Sequence, residues 1–363
     1  MAKKLATDRT LFLTMVGLVS FGLVMLYSAS AVVAHEAHQS SHFFFVKQAL
    51  WAGVGLAFAA LLMRMDYRRL RRPAFVYGLL ALSVGLLIAV LFAPPLKNAH
   101  RWFRLGVISF QPSELAKFGL VLALAHQLTR REERLSELLA GLLPSLLITG
   151  FLAFLVLIEP DFGTAICLTA IGSCLFFVAG APFRYLVGLA ATAAPVAYLL
   201  IVRVDYRRER LLAFLDPWED PLGKGFQAIQ SLLAVGTGGL AGRGFMQSRQ
   251  KLFYLPEPHT DFIFAVIGEE LGLLGALAVL AGFLLILWRG VVIARAAPDR
   301  FGTLLAAGLT AMIVVQALIN ISVVLALLPT TGIPLPFISA GGTSVFFSLA
   351  AVGLLLAISQ HAR

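Results

Sequence analysis

Of 363 residues, 59% are hydrophobic and only 13% charged, and the mean hydropathy is +0.88, where soluble domains run to about a quarter charged. That balance excludes a soluble globular enzyme and leaves a polytopic membrane protein. A net charge of +10 is shared with nucleic-acid binders, but here the position of each Lys and Arg relative to the spans gives it meaning, and no nucleic-acid partner is expected.

Apolar runs long enough to cross a hydrocarbon core of about 30 Å fall near 11–34, 43–63, 73–94, 114–129, 143–159, 163–181, 184–203, 261–288, 302–328 and 335–359. The expected fold is an all-α polytopic membrane protein of about ten transmembrane helices, one domain over 1–363, with a large extracytoplasmic loop (204–260) between helices seven and eight. The first run is long and lacks a small-residue cleavage site, so it reads as a retained span. Cys167 and Cys174 lie seven apart on one face of one helix, cannot join each other, and read as core.

Basic residues set the topology. With the N-terminus inside, Lys3, Lys4, Arg9, the cluster from Arg64 to Arg72, Arg130, Arg131, Arg134, and Arg289, Arg295 and Arg300 all fall on the cytoplasmic side, as do both termini. The exceptions are more informative. Lys97, Arg101 and Arg104 share one outer loop with Trp102 and Phe103, and Arg203, Arg207, Arg208, Arg210, Lys224, Arg243, Arg249 and Lys251 populate the long loop. Solvated loop surface accounts for them; so does an outer basic face built to hold an anion. Within the long loop, YRRERLLAFLDPW alternates basic and apolar groups as an interfacial helix would. GFQAIQSLLAVG is apolar enough to pack on the spans, and DPWEDPLGKG between them reads as turns.

Several residues invite a chemical reading. The glycine run GTGGLAGRG (Gly236 to Gly244) lacks the preceding strand and downstream acid of a dinucleotide site, so it reads as a tight loop passing close to helices, with its amides available to an anion. Glu114 and Lys117 share one face of the fourth span; they are either a self-neutralising pair holding the bundle or a pair facing an aqueous cleft where Lys117 meets a phosphate. Asp161, between two spans, reads as a helix cap, and Lys47 as a snorkelling cation. Asp261 alone is an N-cap at the start of span eight, yet with Glu257 and His259 it crowds a helix mouth beside a basic loop, where a general base for an external acceptor belongs. No His₃ or paired Cys/His set signals a metal. Glu269 and Glu270 lie about 12 Å deeper at 1.5 Å per residue; being adjacent, they diverge by about 100° around the helix, so one is assigned to interhelical hydrogen bonding and the other is unassigned.

At this point the stretches RWFRLGVISFQPSELAK (Arg101 to Lys117), EPDFGT (Glu159 to Thr164), YRRERLLAFLDPWEDPLGKGFQAIQSLLAVGTGGLAGRG (Tyr206 to Gly244), SRQKLFYLPEPHTDFIFAVIGEELG (Ser248 to Gly272) and NISVVLALLPTTGIPLPFISAGGTS (Asn320 to Ser344) identify a resemblance. The chain resembles the RodA/FtsW/SpoVE proteins, the SEDS family of lipid II polymerases, over nearly its full length, departing at Ala340 where an aromatic residue is usual. The resemblance implies a multi-pass enzyme of the bacterial cytoplasmic (inner) membrane that polymerises peptidoglycan strands from lipid II on the outer face. It also implies a partner, a class B penicillin-binding protein that cross-links the strands. The family's essential aspartate corresponds to Asp261 and its intramembrane acid and lysine to Glu114 and Lys117. Arg101, Asp161, Arg207 and Arg210 fall at motif positions and, with Lys47, are expected to bind substrate.

Lipid II carries an α-linked sugar diphosphate and the polymer is β-linked, so single displacement with inversion is the economical chemistry. Asp261 is then the base on the attacking 4-hydroxyl, and Lys117, helped by Arg101, Arg207, Arg210 or a divalent cation (Mg or Mn), holds the departing diphosphate. No cofactor is certain. The other readings are a translocase for the lipid-linked precursor, a pure scaffold, and a division-specific polymerase of FtsW type; the compact N-terminus without a cytoplasmic tail favours an elongation role.

Overall fold

Backbone polar groups in hydrocarbon must be satisfied inside their own segment or by neighbouring protein, which makes long apolar runs helical. The computed structural model, which describes residues 7–95, 99–106, 108–203, 205–252 and 254–361, places a helix in each of the ten predicted runs and two more in the long loop. The first six are α1 (Arg9–His38), α2 (Phe43–Arg64), α3 (Pro73–Val90), α4 (Pro112–Arg130), α5 (Leu143–Ile158) and α6 (Phe162–Val178). They are followed by α7 (Phe183–Val202), α8 (Asp205–Leu215), α9 (Phe226–Gly238), α10 (Ile263–Ala296), α11 (Arg300–Val324) and α12 (Gly342–Ser359). Among the described residues, seven helical segments are long and apolar enough to cross a membrane.

The all-α expectation needs one amendment. Before α4 the chain forms a short antiparallel hairpin, β1 (Phe103–Leu105) with β2 (Ile108–Phe110), in which Phe103 pairs with Phe110. Gly106, at φ 64°, supplies the left-handed residue of its turn. The cysteine expectation is half right: Cys167 is buried, but Cys174 is exposed.

At the centre stands α11, packed by α10, α4, α6 and α12. α12 is buried along nearly its whole length and lies along α2. The two approach closely because a side chain at Gly353 would begin only 2.7 Å from the Ala59 Cα, the small-residue contact expected between apolar helices. Asp8 caps α1 and receives Arg289 at 2.6 Å, tying the start of α1 to the last turns of α10.

The eighth predicted span, 261–288, is longer than expected and is not one straight helix. Within α10, Gly272 adopts φ 65° and ψ −162°, which frees backbone groups on both sides of the break. The glycine run takes them up. Leu273 and Leu274 donate to the carbonyls of Gly239 and Leu240 (2.9 and 3.2 Å), while Arg243 and Gly244 donate to those of Glu269 and Glu270, each at 3.0 Å. Neither Gly242 nor Gly272 has room for a side chain. The amides of this run serve α10, and the long loop folds inward beside the helix instead of lying wholly outside the bundle.

The carboxylates of Glu269 and Glu270 complete the joint, both fully buried. Glu270 accepts from Lys251 Nζ (2.7 Å), Ser28 Oγ (2.8 Å) and the Met246 amide (3.0 Å). Glu269 accepts from Ser248 Oγ and the amides of Arg249 (3.0 Å) and Gln250 (3.2 Å). The glutamate left unassigned from the sequence is thereby accounted for as well: residues 243–251 curl around the helix far enough to reach both.

At the opposite end of the bundle, Asp299 caps α11 through the Gly302 amide (2.8 Å) and accepts from Tyr67 Oη (2.6 Å) and Arg68 Nε (3.1 Å). Burial works against its charge, but the Tyr67 hydroxyl, the Gly302 amide and Arg68 together hold the carboxyl below its usual range. The folded state therefore keeps Asp299 ionised to lower pH than the unfolded chain does, and its contribution is present above the unfolded pKa and lost as pH falls through the folded one.

Two outcomes are expected. Glu270→Ala leaves the Lys251 ammonium buried without its partner, which should cost about 3–5 kcal/mol and expose residues 243–252 to protease; unchanged melting and proteolysis would remove the joint from the stability of the fold. Asp299→Asn should lower stability by roughly 1–2 kcal/mol near neutrality, and its gap to wild type should shrink as pH falls through the carboxylate range; a pH-independent gap in melting temperature would contradict the assignment.

Candidate functional site

The approach to α10 is pinned at three successive carbonyls. His259 accepts from the Ala340 amide (2.9 Å), Thr260 from Ser339 Oγ (2.6 Å), and Asp261 from Asn320 Nδ2 (2.8 Å). Asn320 also donates to Ile333 (2.7 Å), and Ser339 Oγ accepts from the Leu335 amide (2.8 Å). One turn before Asn320 on α11, Gln316 donates to the Pro334 carbonyl (2.9 Å) and to Ser344 Oγ (3.0 Å). From the other side Gln48 of α2 donates to the Ser339 carbonyl (2.8 Å). The segment linking α11 to α12 is thereby stitched to α2, α11 and the residues before α10.

Asp261 is half-buried and precedes the helix cap, which is Phe262. The N-cap reading of Asp261 is therefore set aside. Its carboxylate faces Gly332, whose φ of +78° brings the backbone in close: a side chain there would begin 3.5 Å from Asp261 Oδ2 and 3.9 Å from Arg101 Nη1. Asp261 and Arg101 thus flank the same backbone point.

Other cations gather around this segment. Arg101 is held by the carbonyls of Glu159 (3.2 Å) and Pro160, and Arg210 of α8 donates to the Thr330 carbonyl at 2.8 Å. Lys47, next to Gln48, lies within electrostatic reach of Arg104 in the hairpin. Arg207 belongs to α8 by its backbone, but its side chain, like Lys97, lies outside the described residues. Among the described residues no three His, Cys, Asp or Glu side chains converge as a metal site; the cations near this segment are Arg101, Arg210, Lys47 and Arg104.

The remaining candidates have interior places. Lys117 and Glu114 are 2% and 3% exposed, joined at 2.8 Å, and the ammonium is closed off by Gln316 Oε1. The pair opens onto no cleft here; through Gln316 it supports the same α11–α12 segment that holds Asp261. Asp161 caps α6, accepting from the amide (3.0 Å) and hydroxyl (2.8 Å) of Thr164 and from Gln111 (3.4 Å). Sequence reasoning missed Asn320, Gln316, Ser339 and Gln48. The signal was available: uncharged amides and hydroxyls inside apolar runs are costly unless they bond across helices. A carboxylate carried on a backbone fixed in this way, beside the Arg101 guanidinium, can take a proton from a hydroxyl while cations hold an anion.

Known proteins share this architecture. The model of the cell cycle protein family of FtsW, RodA and SpoVE matches residues 8–363. The "Probable peptidoglycan glycosyltransferase FtsW" of Geobacter metallireducens is 42% identical over 360 residues, covering 98% of this chain and 95% of that protein. The stage V sporulation protein E of Bacillus subtilis is 42% identical over 365 residues, 99% of each chain. Among solved structures, a chain from a peptidoglycan synthase complex that coordinates polymerization and crosslinking superimposes with a TM-score of 0.80 at 36% identity over 98% of both chains. The rod shape determining protein RodA of Thermus thermophilus gives 0.71 at 32% identity, over 98% of this chain and 97% of that one. A family match along almost the whole sequence, with relatives above 40% identity end to end, shows that the chain belongs to the SEDS family of FtsW, RodA and SpoVE proteins.

Proposed function

We propose that this chain polymerises peptidoglycan glycan strands from lipid II, with Asp261 as the general base. It is a membrane enzyme, a peptidoglycan glycosyltransferase, as its relatives' names indicate. The observation that carries the residue assignment is the fixing of three successive carbonyls, His259 to Asp261, beside Arg101. Preorganised groups of this kind lower a barrier because they need no reorganisation when charge develops.

In the reaction the acceptor's 4-hydroxyl loses its proton to Asp261 as its oxygen attacks the anomeric carbon, and the bond to the diphosphate breaks on the opposite face, which inverts the configuration. Arg101 and Arg210, with Lys47 and Arg104 at the rim, hold the departing diphosphate. Glu114 and Lys117 act from inside, positioning the α11–α12 segment through Gln316. A base of this kind contributes about 10²–10⁴ in rate, or about 3 to 5.5 kcal/mol of barrier.

The topology that suits this reaction has ten spans, both termini in the cytoplasm, and Asp261 at the outer face of the bacterial inner membrane, with residues 204–260 supplying the acceptor path. Cross-linking of the strands falls to a class B penicillin-binding partner, in keeping with the synthase complex whose chain this one resembles. The elongation role read from the compact N-terminus gives way to division: curated relatives at 41–42% identity are named FtsW, whereas the Thermus rod-shape protein is 32% identical. The polymerisation motifs are common to both roles and do not encode the choice.

Purified protein with its partner and labelled lipid II should yield polymer, and Asp261→Asn should abolish it at an unchanged melting temperature. Full activity in that variant would remove Asp261 from the chemistry, and transbilayer movement of lipid II without polymer would replace the proposal with translocation. Lys117→Ala, which orphans a buried carboxylate, should destabilise by about 3–5 kcal/mol, while the neutral pair Glu114→Gln with Lys117→Met should restore stability and measurable polymerisation. Complete inactivity in a stably folded double variant would place Lys117 on the substrate.

A further inference from the structure

The ends of α2 and α4 remote from Asp261 form a second basic cluster. There Arg68, Arg71, Arg72, Pro73, His126 and Arg130 line a pocket of about 370 Å³. Pro73 opens α3 and Arg130 closes α4. The nearby carboxylate, Asp299, is already engaged by Tyr67 and Arg68. Arg71, Arg72 and Arg130 are exposed, and none of them enters an ion pair among the described residues.

A surplus of basic residues at one membrane face, and an arginine at a helix C-terminus, have ordinary explanations. Neither explains why these arginines gather at an open pocket that a buried imidazole also lines. His126 is 2% exposed. By distance and angle neither ring nitrogen completes a hydrogen bond, the Arg71 carbonyl stands close enough to be a weak acceptor, and Tyr77 meets the ring edge-on at 5.8 Å. A buried polar group without a partner is disfavoured, and a ligand acceptor would relieve it.

We propose that this pocket binds the phosphate of an anionic phospholipid headgroup. Guanidinium groups match phosphate oxygens with paired donors, and an imidazole N–H adds a donor from within. In the ten-span topology proposed above, the first turn of α3 and the last turn of α4 are helix ends at one membrane face, and basic pockets between membrane helices are suited to such headgroups. Bound there, one lipid would clamp the α2–α3 turn to α4, the helix that carries Glu114 and Lys117.

Native mass spectrometry of the purified full chain, given equal phosphatidylglycerol and phosphatidylcholine, tests this. Wild type should retain phosphatidylglycerol selectively. The variant R71Q/R72Q/R130Q should lose that selectivity, at about fivefold in affinity per arginine removed, while R134Q/R184Q/R295Q, which removes the same number of charges at exposed positions outside the pocket, should keep it. If the triple variant cannot be purified, His126→Gln serves, with an expected loss of about tenfold. Equal retention of both lipids by wild type, or equal loss in both arginine variants, would overturn the proposal in favour of diffuse charge. Displacement by millimolar inorganic phosphate with no lipid preference would keep the phosphate site but assign it to a soluble anion, overturning the lipid.

Discussion

The break in α10 at Gly272 is the constraint on which the rest of the structure depends. A helix interrupted inside a membrane protein must have its freed amides and carbonyls satisfied by protein, and here a glycine run from the long loop does so bond by bond. Glu269 and Glu270 then gather the following residues, with Lys251 neutralising Glu270 in the interior. The loop is thereby fixed to the same helix that begins beside Asp261, so the polar excursion and the candidate base belong to one joint.

A second framework runs across the bundle at the level of the site. α11 presents Gln316 and Asn320 one turn apart; one reaches the Glu114–Lys117 pair and Pro334, the other Ile333 and the Asp261 carbonyl. Buried ion pairs add little net stability but break at high cost, and uncharged polar groups in an apolar interior bond across elements or are disfavoured. The framework therefore has few alternative arrangements, and Asp261 inherits that rigidity.

Charge is divided between the two ends of the helices. At one end Arg101 stands beside the Asp261 carboxylate and Arg210 holds the Thr330 carbonyl of the same segment; at the other, arginines and a buried imidazole line a pocket without a carboxylate. The first cluster is tied down by backbone carbonyls, as for Arg101 and Arg210. The second leaves three arginines exposed.

By itself the sequence determined the class, the helical segments, the two amphipathic pieces of the long loop and the family, because span length, hydropathy and motif spacing are local properties read along the chain. Asp261 stood out as a charge at the edge of an apolar run, and Arg101 and Arg210 as outer basic residues at motif positions. Tertiary structure decided what each charge does. It enclosed Lys117 against Gln316, moved the cap of α10 to Phe262, and gave both Glu269 and Glu270 partners some 20 residues away, whereas the cap at Asp161 was already legible in the chain. Hydrogen-bond partners across the bundle, such as Asn320 for Asp261 or Ser28 for Glu270, depend on which helices meet and at what depth, and no spacing within one segment carries that information.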